Sequence, residues 1–307
     1  MILSLCLNPS IDSYAHIKDF EPGSVNRIES LKEYPGGKGV HVAMALAELG
    51  TNSRLLGFWG GAAGEWIKKQ CEALKVASNG VSVSGNNRKC YTFISENSAL
   101  HHTELLEPGP TLSVNDFENF LEVFQNESAK SDFICISGSC PKNTPEDAYA
   151  QLIRIAKQQQ KKVILDCTGI QLEKALEEGF FGIHLNHIEA KSLCGSSKIE
   201  DLQEFFGDKV QLIALTRGSE GLELAYENKI IKSQIKLPRE EIISTVGSGD
   251  CLTAGIAFAL HKQLKHSEIA AWGAACGTAN CLNEDLGMLK KEDVERMLKK
   301  VQIKTYE

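Results

Sequence analysis

The sequence predicts an α/β fold, a mostly parallel sheet covered by helices on both faces, with a small β-strand lid. Three observations carry that prediction. Short β-branched or apolar runs alternate with amphipathic helical windows over most of the chain, and strand-then-helix repetition implies parallel strands joined by right-handed crossovers. Two stretches break the rhythm, residues 13–34 and 81–106, the second carrying Arg88, Lys89, Cys90, Tyr91, Thr92, Phe93 and Ile94 in alternation. Both are expected as antiparallel strands inserted at one edge of the core. No repeat of about 20 to 50 residues and no low-complexity linker interrupts the chain. A single α/β domain over 1–307 is therefore expected, with its lid formed by segments of about 13–35 and 81–106.

The elements follow in order. Ile2–Leu7 is an apolar run stopped by Asn8-Pro9, a strand. The window Gly37–Leu49 puts Val42, Leu46 and Leu49 on one helical face and ends at Gly50. Further strands are expected at Ser53–Phe58, Phe133–Ser137, Lys162–Asp166, Gly182–Leu185 and Val210–Thr216. Between them, helices are expected near Gly64–Leu74, Asp116–Phe124, Pro145–Gln158 and Glu189–Cys194. Gly249–Leu260 and Ile269–Leu282 are apolar nearly all round, the mark of buried helices, and the charged window Lys290–Lys300 is amphipathic.

Composition excludes several classes. The chain carries 33 basic and 40 acidic side chains, a net charge of −7, with no run of five like charges. That is the wrong balance for a nucleic-acid or anionic-membrane partner held by electrostatics. The opening residues lack a basic segment before Asn8-Pro9, and no apolar stretch approaches the length of a membrane span. A cytoplasmic protein is expected. The ten cysteines sit singly, mostly in apolar contexts, with no C-x-x-C pair, which suits free thiols in a reducing compartment.

Two glycine-rich segments can carry chemistry. In Thr245-Val246-Gly247-Ser248-Gly249-Asp250, small residues run directly into a buried helix. Backbone N–H groups there, with the positive end of the helix dipole, can cradle an anion, and Asp250 sits in the first turn. A tight turn with an N-terminal carboxylate is an equally good reading of that segment alone. In Pro35-Gly36-Gly37-Lys38-Gly39-Val40-His41, glycine again lets a ligand approach backbone beside a lysine. Leu252 stands where a dinucleotide fingerprint needs glycine, and Gly39 follows Lys38 where a Walker loop needs Ser or Thr, so neither common nucleotide loop is present. Asp12, Arg88, Gly138 with Ser139, and Gly218 with Gly221 lie at strand C-termini or in the lid, where open α/β sheets bind ligands. His184, His187 and Glu189 fall on a strand and the following helix, a poor arrangement for zinc. No G-x-S-x-G elbow occurs.

Taken together the motifs resemble those of the ribokinase-like, or PfkB, carbohydrate kinases, and within them the hexose-phosphate branch. The resemblance rests on Leu7–Asp12, Pro35–Ala43, Glu107-Pro108-Gly109-Pro110, Ser137-Gly138-Ser139, Asp166-Cys167-Thr168-Gly169, Asn186-His187-Ile188-Glu189 and Thr245–Asp250, in that order from residue 3 to about 290. It implies a three-layer α/β/α sandwich and ATP-dependent phosphorylation of a ketohexose monophosphate. Fructose 1-phosphate comes first, then tagatose 6-phosphate or fructose 6-phosphate. A kinase for an unphosphorylated sugar or nucleoside and a catalytically silent sugar-phosphate-binding regulator are the competing readings.

Carried onto this sequence, the resemblance makes Asp250 the base, with Gly247, Ser248 and Gly249 stabilising the transferring phosphoryl group. Asp12, Gly37, His41, Gly138 and Ser139 would hold the sugar, with Arg88 and Lys38 on its phosphate. Thr216, Gly218, Gly221, Asn186 and Thr278 would line the ATP site, and Asn186 and Glu189 would hold Mg²⁺ through water; a K⁺ requirement stays open. The exposed lid edge makes a homodimer the expected assembly. His41 stands where the family pattern has the asparagine that touches the sugar, Cys140 and Asn143 alter a loop, and Arg217 replaces an apolar residue beside the ATP glycines.

Overall fold

The computed structural model describes residues 1–307 except 97–99, 101, 102, 286 and 307. Its first half comprises β1 (Ile2–Cys6), β2 (Ser10–Ile17), β3 (Ser30–Gly36), α1 (Lys38–Glu48), β4 (Ser53–Gly60), α2 (Gly61–Ala73), β5 (Ala77–Val83), β6 (Arg88–Ser95), β7 (Thr103–Leu106), α3 (Val114–Ser128), β8 (Phe133–Ser137) and α4 (Ala148–Gln158). The second comprises β9 (Lys162–Asp166), α5 (Ile170–Glu178), β10 (Phe180–Asn186), α6 (His187–Cys194), α7 (Ile199–Phe206), β11 (Val210–Thr216), β12 (Leu222–Tyr226), β13 (Lys229–Gln234), α8 (Ser248–His261), α9 (His266–Asn280), α10 (Lys291–Leu298) and β14 (Gln302–Tyr306).

The apolar runs become the centre of a ten-stranded sheet ordered β14-β13-β12-β11-β10-β9-β8-β1-β4-β5. From β11 to β5 every pairing is parallel, and β12 to β14 extend it antiparallel. Because successive strand side chains point to opposite faces, Ile2, Phe133 and Cys135 pack on one side with α1, α8, α9 and α10. Leu3, Leu5, Ile134 and Ile136 pack on the other, with α3, α4, α5 and α7. The result is the expected three-layer sandwich. Its inner strands are buried throughout, as parallel strands covered on both faces must be.

A second sheet, ordered β3-β2-β6-β7, stands over the C-terminal ends of the central strands. It differs from the sequence reading in two respects. Residues 81–83 belong to β5, which closes the main sheet as a parallel partner of β4. β2 and β6 pair in parallel rather than antiparallel. The reason is topological: β1 and β5 are strands of one parallel sheet, so the chain leaves both toward the same end and enters the lid in the same direction. Residues 97–99, 101 and 102 of the expected lid segment lie outside the described residues. The Glu227–Asn228 turn between β12 and β13, with φ of 48° and 60°, gives the hairpin its left-handed central pair. No described helix is long and apolar enough to cross a membrane.

Candidate active site

Where β1, β9, β10 and β11 end, the lid and the start of α8 enclose a cleft of about 1030 Å³. Open α/β sheets bind ligands at this edge because helix N-termini and loops converge there. Two helices begin in the cleft without any side-chain cap, α1 after Gly37 and α8 after Gly247. By contrast Ser113 and Asn186 cap α3 and α6 with complete capping boxes. The uncapped N–H groups of α1 and α8 thus remain available to an anion. Gly247 has φ 82°, and a Cβ there would lie 2.5 Å from the Gly287 Cα. A Cβ on Gly249 would come 2.9 Å from His184 Cε1. These glycines let the loop approach neighbouring groups as no side chain would permit.

Two polar chains cross the floor of the cleft. In the first, Ser10 Oγ donates to Asp12 Oδ1 at 2.6 Å, and His41 lies between Asp12 and Asp250. His41 Nδ1 is 2.8 Å from Asp250 Oδ2. Its Nε2 is 3.4 Å from Asp12 Oδ2, an ion-pair distance off the line of a directed hydrogen bond. Burial disfavours the imidazolium, yet the two carboxylates overcome it and push the His41 pKa up to about 10. Burial raises Asp250 above the usual carboxylate range, opposed by His41 and Lys38. Asp12 is also desolvated, but His41, Ser10 and Arg88 together hold it below that range.

In the second chain Lys38 Nζ donates to Asp166 Oδ1 at 2.6 Å, and Asp166 Oδ2 lies 3.0 Å from His184 Nδ1. His184 Nε2 is 3.3 Å from Thr216 Oγ1. Asp166 is 2% exposed, and despite that burial Lys38 and His184 hold it far below the usual range. Lys38 in turn is desolvated, but Asp166 and Asp250 outweigh that and raise its pKa above the ordinary lysine value. Arg88 is different. It forms no salt bridge among the described residues, and its Nε donates to the Asn8 carbonyl at 3.2 Å. Its charge acts on nearby Asp12 without a direct ion pair, and it lines the cleft.

The cleft is lined by Asp12, Gly37, Lys38, His41, Arg88, Asn186, Glu189, Thr216, Gly218, Gly221, Gly247, Ser248, Gly249, Asp250 and Thr278, all named from sequence. Gly138 and Ser139 are not part of that lining. Gly138 has φ 98° and backs onto Lys38, whose Cβ would be 3.5 Å from an added Cβ. Ser139 is exposed beside it. Arg217 also turns away from the cleft, with its Nε 3.2 Å from Glu223 and its Nη2 on the Ser197 carbonyl. Sequence reading missed Asp166 and His184 as members of the site. An aspartate ending the apolar strand Val163-Ile164-Leu165 was the available signal, since a buried charge must find a partner.

The Asn186 Oδ1 accepts the Ile188 and Glu189 N–H groups, both at 2.9 Å, and Glu189 Oε2 accepts the Asn186 N–H at 2.9 Å. One Glu189 carboxylate oxygen is left outside the capping box. No group of three His, Cys, Asp or Glu placed to hold a metal occurs among the described residues. A single free carboxylate oxygen fits a magnesium ion that keeps several waters and does not fit an all-protein cage. Leu222, Ile235, Leu237, Leu252 and Ala274 give the Thr216 side of the cleft an apolar wall suited to a flat heterocycle.

Comparison with known proteins gives consistent findings. The pattern of the pfkB family carbohydrate kinases matches residues 5–291. The chain is 31% identical over 313 residues to tagatose-6-phosphate kinase of Staphylococcus epidermidis, covering 99% of each. It is equally 31% identical over 310 residues to 1-phosphofructokinase of Bacillus subtilis, again covering 99% of each. Phosphofructokinase-2 from Escherichia coli, solved with potassium, shares the fold at a TM-score of 0.87 and 24% identity, over 97% of this chain and 98% of that one.

Proposed function

The chain belongs to the pfkB family of carbohydrate kinases, and from that premise we propose that it transfers the γ-phosphoryl group of ATP to a hydroxyl of a ketohexose monophosphate. Fructose 1-phosphate, giving fructose 1,6-bisphosphate, is the substrate we favour. The observation that carries the substrate class is Arg88, which forms no salt bridge among the described residues and faces the same cleft as Asp12 and Asp250. A neutral sugar needs no such cation, whereas a phosphate gains charge-assisted hydrogen bonds from it. Lys38 is already matched by Asp166, so the phosphate clamp is assigned to Arg88 first.

In this reading Asp12 and the backbone at Gly37 hold sugar hydroxyls, and Asp250 accepts the proton of the attacking hydroxyl. The sugar oxygen forms its bond to the γ-phosphorus while the bond from that phosphorus to the bridging oxygen breaks and ADP leaves. Burial makes Asp250 more basic than a solvated carboxylate, which suits proton acceptance. The uncapped first turn of α8 offers N–H groups to the equatorial oxygens as charge spreads over them. Magnesium, when bound with ATP, supplies further positive charge to the phosphates, and Glu189 would hold it through water. Thr216, Gly218, Gly221 and Thr278 line the end of the cleft assigned to the nucleotide.

Tagatose 6-phosphate is the second reading, favoured by the similarity to the staphylococcal kinase. The test is a coupled ADP-release screen over fructose 1-phosphate, tagatose 6-phosphate, fructose 6-phosphate and unphosphorylated fructose. The expected result is the highest kcat/KM with a phosphorylated ketohexose and little turnover of fructose. Preference for the neutral sugar would refute the assigned class, and binding without turnover would indicate a silent regulator. Leu31, Leu105 and Leu106 lie exposed on the lid, and we propose a homodimer through that surface, readable by sedimentation. A monomer at micromolar concentration would refute it.

A further inference from the structure

His41 occupies a position that its chemistry makes informative. Its ring is buried at 4% exposure and wedged by backbone, since a Cβ on Gly287 would come within 2.2 Å of ring carbons. It cannot easily rotate away. One ring nitrogen faces the carboxylate of Asp250 on α8 and the other faces that of Asp12 on the lid strand β2. A neutral imidazole has one donor and one acceptor, and an ionised carboxylate only accepts. A neutral ring donating to Asp250 from Nδ1 would turn the lone pair of Nε2 toward the Asp12 carboxylate, whereas the doubly protonated ring donates to Asp250 and sets its positive charge 3.4 Å from Asp12.

We propose that His41 is a fixed imidazolium strut between the lid carboxylate Asp12 and Asp250, a positioning residue that keeps Asp250 ionised and oriented for proton acceptance. This inference rests on the reading of Asp250 as the base. The bond to His41 uses Oδ2 and so leaves Oδ1 for the substrate hydroxyl. Because Asp12 belongs to the lid and Asp250 to the buried helix, the strut also joins the sugar grip to the base. An asparagine amide in the same place could hydrogen-bond one carboxylate but could not neutralise two.

The charged and titratable groups around the strut come from every neighbouring element. They are Asp12 and Tyr14 on β2, Arg88 on β6 beside Asp12, Lys38 earlier on α1, Asp166 on β9 acting on Asp250, and Asp250 itself. In the segment that wedges the ring, Glu284 pairs with Lys32 and Asp285 interacts with Tyr34, so both are otherwise engaged. The balance near the ring is two carboxylates in contact with one imidazolium.

The test uses full-length protein labelled with ¹⁵N-histidine. Long-range ¹H–¹⁵N spectra should show His41 doubly protonated at pH 8, and Asp250→Asn or Asp12→Asn should each lower the pH at which the ring loses its proton. In parallel, His41→Asn should move the acidic limb of the kcat profile upward by about one to three pH units, the usual effect of an adjacent opposite charge. A purely structural role would lower kcat without moving that limb. A neutral ring at pH 7 overturns the proposal, and so does an imidazolium whose replacement leaves the limb unmoved. The spectra need no turnover and remain decisive if His41→Asn fails to fold. A failed kinase assignment would appear separately, as absence of ADP release from the wild type.

Discussion

Replacing Arg88 by alanine isolates the proposed clamp on the substrate's phosphate. The guanidinium lends its Nε to the Asn8 carbonyl at 3.2 Å, leaving its terminal N–H groups for a ligand, while its charge also acts on Asp12. Hydrogen bonds to charged groups contribute about 1.5–3 kcal/mol, and each 1.4 kcal/mol or so is tenfold. The sugar-phosphate KM should therefore rise about 10- to 150-fold. The contact concerns the phosphate that does not react, so it is present equally in ground and transition states and kcat should change little. The KM for ATP should stay within about twofold, because the clamp grips only the other substrate. Loss of the Asn8 bond costs about 1 kcal/mol of stability, a fall in Tm of no more than about 2–4 °C. Steady-state kinetics with each substrate varied in turn, beside a thermal melt, read all of these quantities. Equal increases in both KM values, or a loss confined to kcat, would remove Arg88 from the sugar-phosphate subsite.

Asp250→Asn should lower kcat by about 10²–10⁴-fold, the range for loss of a general base, while equilibrium binding of ATP is retained; more than a tenth of wild-type turnover would contradict the assignment. Lys38→Met should leave the buried Asp166 with His184 alone. Because the Lys38 side chain is 41% exposed, the cost should be about 1–3 kcal/mol, below that of breaking a fully buried pair, and chemical denaturation measures it. Gly247→Ala puts a Cβ 2.5 Å from the Gly287 Cα at φ 82°, so a loss of about 1–3 kcal/mol is expected, together with slowed turnover as the first turn of α8 shifts. His41 has a folded pKa of about 10, above its unfolded value of about 6.5, so the native state binds the extra proton. Its stabilisation is complete below about pH 6.5 and is lost as pH rises toward 10. Melting curves should show Tm falling over that window, and His41→Asn should flatten the fall.

The parts of the fold that could be read directly are those in which local chemistry and final environment agree. Ile2–Cys6 and Phe133–Ser137 are apolar at every position but one or two and end as fully buried parallel strands. The run Gly247–Asp250 offered an anion cradle and a tight turn with an N-terminal carboxylate as equal readings, and which of them its backbone N–H groups serve depends on the tertiary surroundings of the first turn of α8. β5 escaped because Ala77–Val83 is a half-buried edge strand containing Ser78, Asn79, Gly80 and Ser82, poor strand formers by composition. Gly80 is nevertheless required there, since a Cβ would fall 1.9 Å from the Gly57 carbonyl oxygen. Contacts between distant segments were harder to see. Lys38 and Asp166 are 128 positions apart, and Lys38 looks free for a ligand until its partner is placed. His41 differs from the family pattern visibly in sequence, but its charge depends on two carboxylates that only the tertiary fold brings to its two nitrogens.

The most direct test of phosphoryl transfer to a sugar phosphate follows the phosphorus itself. Wild-type protein with ATP, magnesium and fructose 1-phosphate should yield, by ³¹P NMR, a new phosphomonoester resonance growing in step with ADP, with none formed by Asp250→Asn. ATP consumed only to inorganic phosphate, or a monoester formed as readily on unphosphorylated fructose, would contradict the account.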